Sequence, residues 1–368
     1  DGRRIVFAYA DHRPPRNRWQ FFLYEIGVDG GGLRQLTGTD GDSLRGADGR
    51  QTVICEDYDP CYLPDGGIAF ISTRNQGFGR CHGGRYTPSY VLYACDADGA
   101  NIRQISFGEA NEWDPSVTCD GRIVYTRWDY INRHDTVYQS LWITKPDGTA
   151  VAHYYGNYTR NPCMQAEARA IPDTHKIVST ATAHHSYTAG SVMVIDIHKG
   201  EDGPEPITRI TPEASFPETE GWPKVCYATP WPLSEDLFLV AFCPDRLVRQ
   251  GGRQRHNAYA IYLIDTLGGR ELIYRDEAIS CFSPIPLAAR TRPPVIPSAL
   301  PAKADDSGVF FIQNVYDSRS GLSRGSIKSL RVNRIFAQPT ASVPVRSMAN
   351  NEILKGVLGT VPVEPDGW

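Results

Sequence analysis

Strand-length apolar runs alternate with Asp-Gly turns along most of the chain. In residues 55–106 a short segment near 57–63 is followed by an Asp65-Gly66 turn and then by "GIAFIST" (67–73). A long loop (75–88) leads to "YVLYACD" (90–96), and an Asp98-Gly99 turn leads to "IRQIS" (102–106). The order repeats. Asp59-Pro60 with Asp65-Gly66 returns as Asp114-Pro115 with Asp120-Gly121. A second punctuator returns as "LYEIGVDGGGLRQLT" (23–37), "LYACDADGANIRQIS" (92–106) and "LWITKPDGTAVAHYY" (141–155). Two short strands about an Asp-Gly pair read as a hairpin. The pattern therefore predicts units of four antiparallel strands, and such a unit is the blade of a β-propeller. Six blades are expected, at 1–37, 55–106, 111–156, 164–211, 219–276 and 281–336, with seven as the alternative count. The first unit lacks its inner strand, and the last carries the Pro-rich run "RTRPPVIPSALPAKADD" (290–306). Residues 1–336 read as the all-β propeller. Residues 337–368 lose the blade pattern and read as a linker and the truncated start of a following β domain.

Composition narrows the function. A chain of 368 residues with 34 Gly, 27 Pro and 19 Tyr is rich in turns and aromatics, as many short strands require. A formal net charge of −4 disfavours nucleic acid as a partner, because phosphate binding needs a concentrated positive surface. No apolar run approaches the roughly 20 residues of a membrane helix. Nine cysteines fit an oxidising compartment with some disulfides, although the odd count leaves one thiol over. No CxxCH occurs, so no c-type haem is expected in this segment. Nucleophile elbow, P-loop and dinucleotide fingerprints are missing, and no complete catalytic constellation is visible. Both ends of the chain lie inside strand patterns, as in a piece of a longer protein.

The form PDG–strand–(S/T)xR…LYxxDxDGxxxRQ(I/L)(S/T) resembles the TolB-type, WD40-like propeller repeat. Longer strings carry a narrower resemblance: "DYDPCYLPDGGIAFIST", "DADGANIRQISF", "EWDPSVTCDGRIVYTRWDY", "ARAIPDTHKIVSTATAHH" and "VLGTVPVEPDGW" are similar to hydrazine synthase alpha-subunit-like proteins. That resemblance implies an N-terminal propeller followed by a middle domain, with c-type haem motifs further on. It also implies an extracytoplasmic (periplasmic or secreted) location, which the cysteine content fits. The role implied is a module that scaffolds or caps an adjacent redox domain or subunit of the same assembly. The alternative is a non-catalytic, TolB-like module that docks protein or glycan.

Strands alternate in direction within a blade, so inner-strand starts and second-strand ends share one mouth of the channel. The first set supplies Asp57, Asp59, Glu112, Asp114, Glu167, Glu218 and Glu220. The second supplies Arg74, Arg127, Asp129, His184, His185, Cys243 and Asp245. Carboxylate and imidazole donors suit a divalent cation such as Ca²⁺, Zn²⁺ or Mn²⁺, with Asp57, Glu112, Asp114 and His184 as the candidate ligands. Asp59, Arg74, Arg127, Asp129, His185 and Glu220 complete the polar rim. The competing reading gives Asp59 and Asp114 to the backbone of a neighbouring blade, Arg74 and Arg127 to carboxylates of adjacent blades, and Trp222 to packing. His184 and His185 are adjacent, so at most one is expected to face an ion. Three long loops rise from this face at 75–88, 129–138 and 245–257. The first carries Arg80, His82 and Arg85, and the third ("DRLVRQGGRQRHN") is basic.

Overall fold

The computed structural model describes residues 2–13, 19–39, 53–79, 87–108, 111–129, 136–301, 310, 312–317, 321–339 and 354–364. Arg80, His82 and Arg85 lie outside the described residues.

Strands form where the repeat places them. The first sheet is β1 (Arg4–Tyr9), β2 (Phe22–Gly27) and β3 (Arg34–Gln35). The second is β4 (Asp57–Tyr62), β5 (Ile68–Ser72), β6 (Val91–Cys95) and β7 (Arg103–Gln104). The third is β8 (Asn111–Val117), β9 (Ile123–Trp128), β10 (Gln139–Thr144) and β11 (Ala152–Tyr155). The fourth is β12 (Met164–Ala170), β13 (Ile177–Thr182), β14 (Ser191–Ile195) and β15 (Ile207–Arg209). The fifth is β16 (Cys226–Pro232), β17 (Leu237–Cys243), β18 (Ala260–Asp265) and β19 (Arg270–Tyr274). Consecutive strands pair antiparallel within each blade, and a single parallel bridge, Gln139 to Met164, joins the third and fourth. The first sheet has three strands, as the missing inner strand requires.

Inner strands lie side by side in chain order, β4 by β8, β8 by β12 and β12 by β16. The core is divided among the gaps between blades. Ile68 and Phe70 pack with Leu23 and Leu36 of the first blade, while Ala69 and Ile71 pack with Ile123 and Tyr125 of the third. Val124 turns the other way, onto Ala168, Ile177 and Ala181 of the fourth. Val178 in turn meets Phe238 and Val240 of the fifth. Side chains alternate along a strand, and both faces are covered here, which is why "IAFI" (68–71) is apolar throughout rather than every second residue.

The Asp-Gly pairs serve as turns. Gly66, Gly99, Gly121 and Gly148 all have φ between 82° and 99°, a region that glycine enters without steric cost. Two of these glycines also sit against the preceding blade. A Cβ on Gly99 would meet the Leu36 carbonyl oxygen at 2.0 Å, and one on Gly148 would meet that of Ile105 at 2.3 Å.

The sixth unit differs from its expectation. Its described residues hold one strand, β20 (Ser329–Ile335), which pairs with β21 (Lys355–Pro362) to form a separate two-stranded sheet. Residues 277–301 contain no strand. Proline removes ladder donors, and this stretch has six prolines from 284 to 301 that interrupt any run. Instead the segment crosses the face that carries the Asp-Gly turns. Arg292 Nε donates to the Pro64 carbonyl at 2.5 Å, the Pro294 carbonyl lies against Gly121, and the Ala299 N–H donates to Asp147 Oδ2 at 2.6 Å.

Candidate functional site at the inner-strand bulges

Each inner strand carries a bulge at the same place. The register slips between Tyr58 and Cys61, Trp113 and Ser116, Ala166 and Arg169, and Ala228 and Trp231. At these bulges Asp59, Asp114, Glu167 and Thr229 take φ of 49°, 52°, 56° and 47°. An extra residue bends the strand and re-aims its side chain. That side chain then reaches the next blade. Asp59 Oδ2 accepts the Asp114 N–H at 3.4 Å, Asp114 Oδ2 accepts the Glu167 N–H at 3.1 Å, and Glu167 Oε2 accepts the Thr229 N–H at 2.6 Å. Thr229 Oγ1 then accepts the Ser283 N–H at 3.0 Å, and Ser283 has φ 52°. The ladder thus extends into the start of the sixth unit although residues 277–301 contain no strand.

Burial sets the titration of this ladder. Desolvation, with Asp114 beside it, raises the Asp59 carboxyl to about 7. Desolvation also raises Asp114, and it raises Glu167 to about 8. Arg169 is the shared cation whose field opposes all three shifts. The guanidinium groups of Arg169 and Arg290 lie 5.9 and 4.5 Å from the Trp231 ring.

The other rim residues are distributed among local partners. Asp57 is fully buried and takes Arg74 in a two-point pair, Nε to Oδ1 at 3.1 Å and Nη2 to Oδ2 at 2.7 Å. Arg127 pairs with Asp129 at 2.8 Å and lies 4.5 Å over the Trp142 ring. Both arginines therefore find their carboxylates within their own blade, not in adjacent blades. For Arg74 the end of the second strand lies beside the start of its own inner strand, which brings Asp57 near, whereas Arg127 takes Asp129 two residues further along the chain. Glu112 does cross between blades, accepting from Ser106 Oγ at 2.5 Å and from the Leu92 N–H at 3.0 Å, and burial raises it to about 7. Glu220 binds Arg209, Asn161 and the Phe216 N–H, and Arg209 holds it near 2.

Asp57, Glu112, Asp114 and His184 are not gathered into one ligand group. Among the described residues, the group of three whose ligand atoms lie within 4.8 Å of one another is His175, Asp196 and His198, on the outside of the fourth blade. There His175 Nε2 meets Asp196 Oδ1 at 2.7 Å, and the two imidazoles stack at 3.6 Å.

The histidine pair divides as the strand end dictates. His184 Nδ1 lies 2.8 Å from Gln139 Nε2, while His185 Nδ1 lies 2.5 Å from Glu218 Oε1. Glu218 also accepts the His184 N–H at 2.6 Å. Burial alone would raise this carboxyl; the His185 ring and the two amides outweigh it and hold it below its ordinary range. His185 and Glu218 line an open pocket of about 330 Å³ together with Trp222 and Arg249. Arg249 lies 4.7 Å over the Trp222 ring. A neighbouring hollow adds Arg246 and Leu247. The basic loop 245–257 is pinned over this corner: the Gln250 N–H donates to the His185 carbonyl at 2.7 Å and Ser186 Oγ to the Val248 carbonyl at 2.6 Å. Trp222, read from sequence as packing, both packs and lines this pocket. Glu218, two residues from Glu220, was marked in the sequence only by its place in the inner-strand lead-in.

No helix among the described residues is long and apolar enough to cross a membrane. No family model matches the chain, and no curated protein matches it. Solved structures do. The chain is similar to hydrazine synthase of Kuenenia stuttgartiensis, with 16% identity and a TM-score of 0.69, over 100% of this chain and 56% of that one. TolB of Acinetobacter baumannii matches with 12% identity and a TM-score of 0.30, over 68% and 64% of the two chains. A puromycin-hydrolysing peptidase of Mycobacterium tuberculosis matches with 11% identity and a TM-score of 0.37, over 75% and 36%. The chain thus spans a little over half the length of the hydrazine synthase chain it resembles, and at such identity the likeness establishes fold: an all-β chain built of propeller blades.

Proposed function

We propose that this chain is a propeller module of a larger extracytoplasmic protein of the hydrazine synthase alpha-like type, where it scaffolds and partly caps an adjacent c-type haem domain or subunit. The observation that carries the reading is the β20–β21 hairpin. It is included in the full-chain likeness to the hydrazine synthase fold, yet Val357, Leu358 and Val361 stand 60%, 67% and 47% exposed on it. A two-stranded sheet with apolar side chains in water is marginal alone and calls for a covering neighbour. The interior chemistry agrees with a supporting role, since the bulge carboxylates are spent on backbone amides of neighbouring blades.

Hydrogen exchange tests the proposal when this chain alone is compared with the natural polypeptide or assembly that carries it. Residues 329–335 and 355–362 should gain protection in the assembly, and the assembly should show c-type haem absorbance. Equal exchange in both, or an assembly without haem, would overturn the reading. A second reading, a module that docks protein or glycan at its mouth, is favoured by the pocket of His185, Glu218, Trp222 and Arg249. It predicts protection at 218–222 and 246–250 instead.

A further inference from the structure

β16 and β17 place two cysteines directly opposite each other, Cys226 against Cys243, where the ladder ends. The Tyr227 N–H and carbonyl both turn away to Gly190 of the fourth blade, at 2.9 and 2.8 Å. Hydrogen bonding alternates along an antiparallel strand, so Cys226 and Cys243 form a hydrogen-bonded pair, whose Cα atoms stand about 5.5 Å apart. That separation lies within the range of roughly 4.4–6.8 Å that a disulfide spans. Opposed residues also share one face of the sheet, so the two thiols point the same way. Both residues are completely buried and both are thiols in the structure.

From this juxtaposition we infer that Cys226 and Cys243 form a redox-active cross-strand dithiol, which low-molecular-weight disulfides convert to an internal disulfide. The inference concerns chemistry beyond the scaffold role and the docking proposed above, at a second-strand end of the same mouth. The surroundings divide the labour between the sulfurs. Cys243 Sγ accepts from Gln254 Nε2 at 3.1 Å and from the Asp245 N–H at 3.4 Å. A hydrogen bond from Cys226, against the opposing effect of burial, holds the Cys243 thiol below its ordinary value, and the same bond, with burial, raises Cys226. Cys243 is therefore the nucleophile and Cys226 the resolving thiol.

Both sulfurs are buried beneath loop 245–257, so exchange proceeds when that loop lifts; the Cys243 thiolate then attacks one sulfur of the small disulfide, its S–S bond breaks, and one small thiolate leaves. Cys226 then loses its proton to solvent and attacks the Cys243 sulfur of the mixed disulfide, expelling the second small thiolate. Two protein thiols are oxidised and one external disulfide is reduced to two thiols. Closure takes the Cys243 sulfur, which anchors Gln254 and the Asp245 amide, into the disulfide, and the loop they belong to carries Arg246 and Arg249. Redox state and the shape of the mouth are thereby linked.

The test uses the intact folded chain in reduced and oxidised glutathione mixtures, quenched with acid, alkylated and cut with trypsin. The peptide Val225–Arg246 contains both cysteines and no internal Lys or Arg. Closure leaves it unalkylated and two hydrogens lighter, in a fraction that rises with the oxidised share through one midpoint. C226S should trap glutathione on Cys243, and C243S should abolish closure. Loop 245–257 should exchange hydrogen faster in the closed wild-type protein, a reading that needs no variant to fold. A peptide bearing two alkyl groups at every ratio, or glutathione adducts as abundant in wild type as in C226S, would overturn the inference.

Discussion

Glu167 Oε2 accepts the Thr229 backbone N–H at 2.6 Å across a blade boundary, while Thr180 Oγ1 donates to the same oxygen at 2.7 Å. Glu167 is thus a joint between the fourth and fifth blades. Desolvation, with the Asp114 charge, raises it to about 8. An unfolded glutamate titrates near 4.3, so between these values the folded chain holds a proton that the unfolded chain has released. Stability conferred by that proton is complete below about pH 4 and is lost as pH rises to about 8, with a slope of at most about 1.4 kcal/mol per pH unit from this group. Glu167→Gln keeps an acceptor for Thr229 and removes the titration. Its urea midpoint should match wild type near pH 4 and exceed it at pH 8.5. Parallel wild-type and variant curves across that range would reject this account.

Gly148 and Gly66 share a backbone conformation but not their surroundings. A Cβ at Gly148 meets the Ile105 carbonyl, whereas one at Gly66 meets nothing within 4 Å. Gly66→Ala should therefore cost only the left-handed strain of about 1 kcal/mol. Gly148→Ala must also push two blades apart, and about 3 kcal/mol is expected. Thermal or urea unfolding of the two variants measures the difference, and equal losses would remove the blade contact from the explanation.

Arg74 and Asp57 form a buried pair, with Asp57 side-chain exposure of 0% and Arg74 of 6%. Arg74→Ala would strand a carboxylate out of reach of water, at a cost of about 3–5 kcal/mol. Adding Asp57→Asn removes the stranded charge, so the double variant should lose less than the sum of the single losses. A double-mutant cycle by urea unfolding reads this directly, and strict additivity would contradict the pairing.

What the sequence disclosed follows from what repeats. Blades, Asp-Gly turns and the missing inner strand of the first unit were legible because the same turn chemistry recurs at fixed places. The ladder was half legible. Asp59 and Asp114 were read as bonding to a neighbouring blade, yet Glu167 and Thr229 do the same work with other side chains. The shared sign was proline: Pro60, Pro115, Pro230 and Pro284 each follow the bulge residue, and only Ala168 breaks the series. Arg74 and Arg127 were assigned across blades, and pair within them, because residue type alone does not reveal which carboxylate is nearest. The proposed metal ligands were chosen by type in the same way, and backbone amides that occupy Asp114 and Glu112 leave no mark in a sequence. The path of 288–300 was illegible, since contacts such as Arg292 with Pro64 join distant residues without any local pattern.

That path gives the last prediction. Asp147 uses its two oxygens for different tasks. Oδ1 accepts the Thr149 N–H at 2.9 Å and closes the turn, while Oδ2 accepts Ser298 Oγ at 3.2 Å and the Ala299 N–H at 2.6 Å. Asp147→Asn retains the turn through its one oxygen and presents an amide NH₂ to Ala299, so two donors face each other and the crossing segment comes loose. A hydrogen bond to a charged group contributes about 1.5–3 kcal/mol, which predicts an opening roughly ten- to a hundredfold more frequent. Trypsin reads that opening at the Arg290–Thr291 bond, because proline follows Arg292 and blocks the next site. Cleavage tracks the open population when reclosing is fast, so nicking in native buffer should accelerate by a similar factor while the urea midpoint of the blades barely moves. Wild-type nicking kinetics in Asp147→Asn would show that the segment is held elsewhere, by Arg290 on Trp231 or by Arg292 on Pro64.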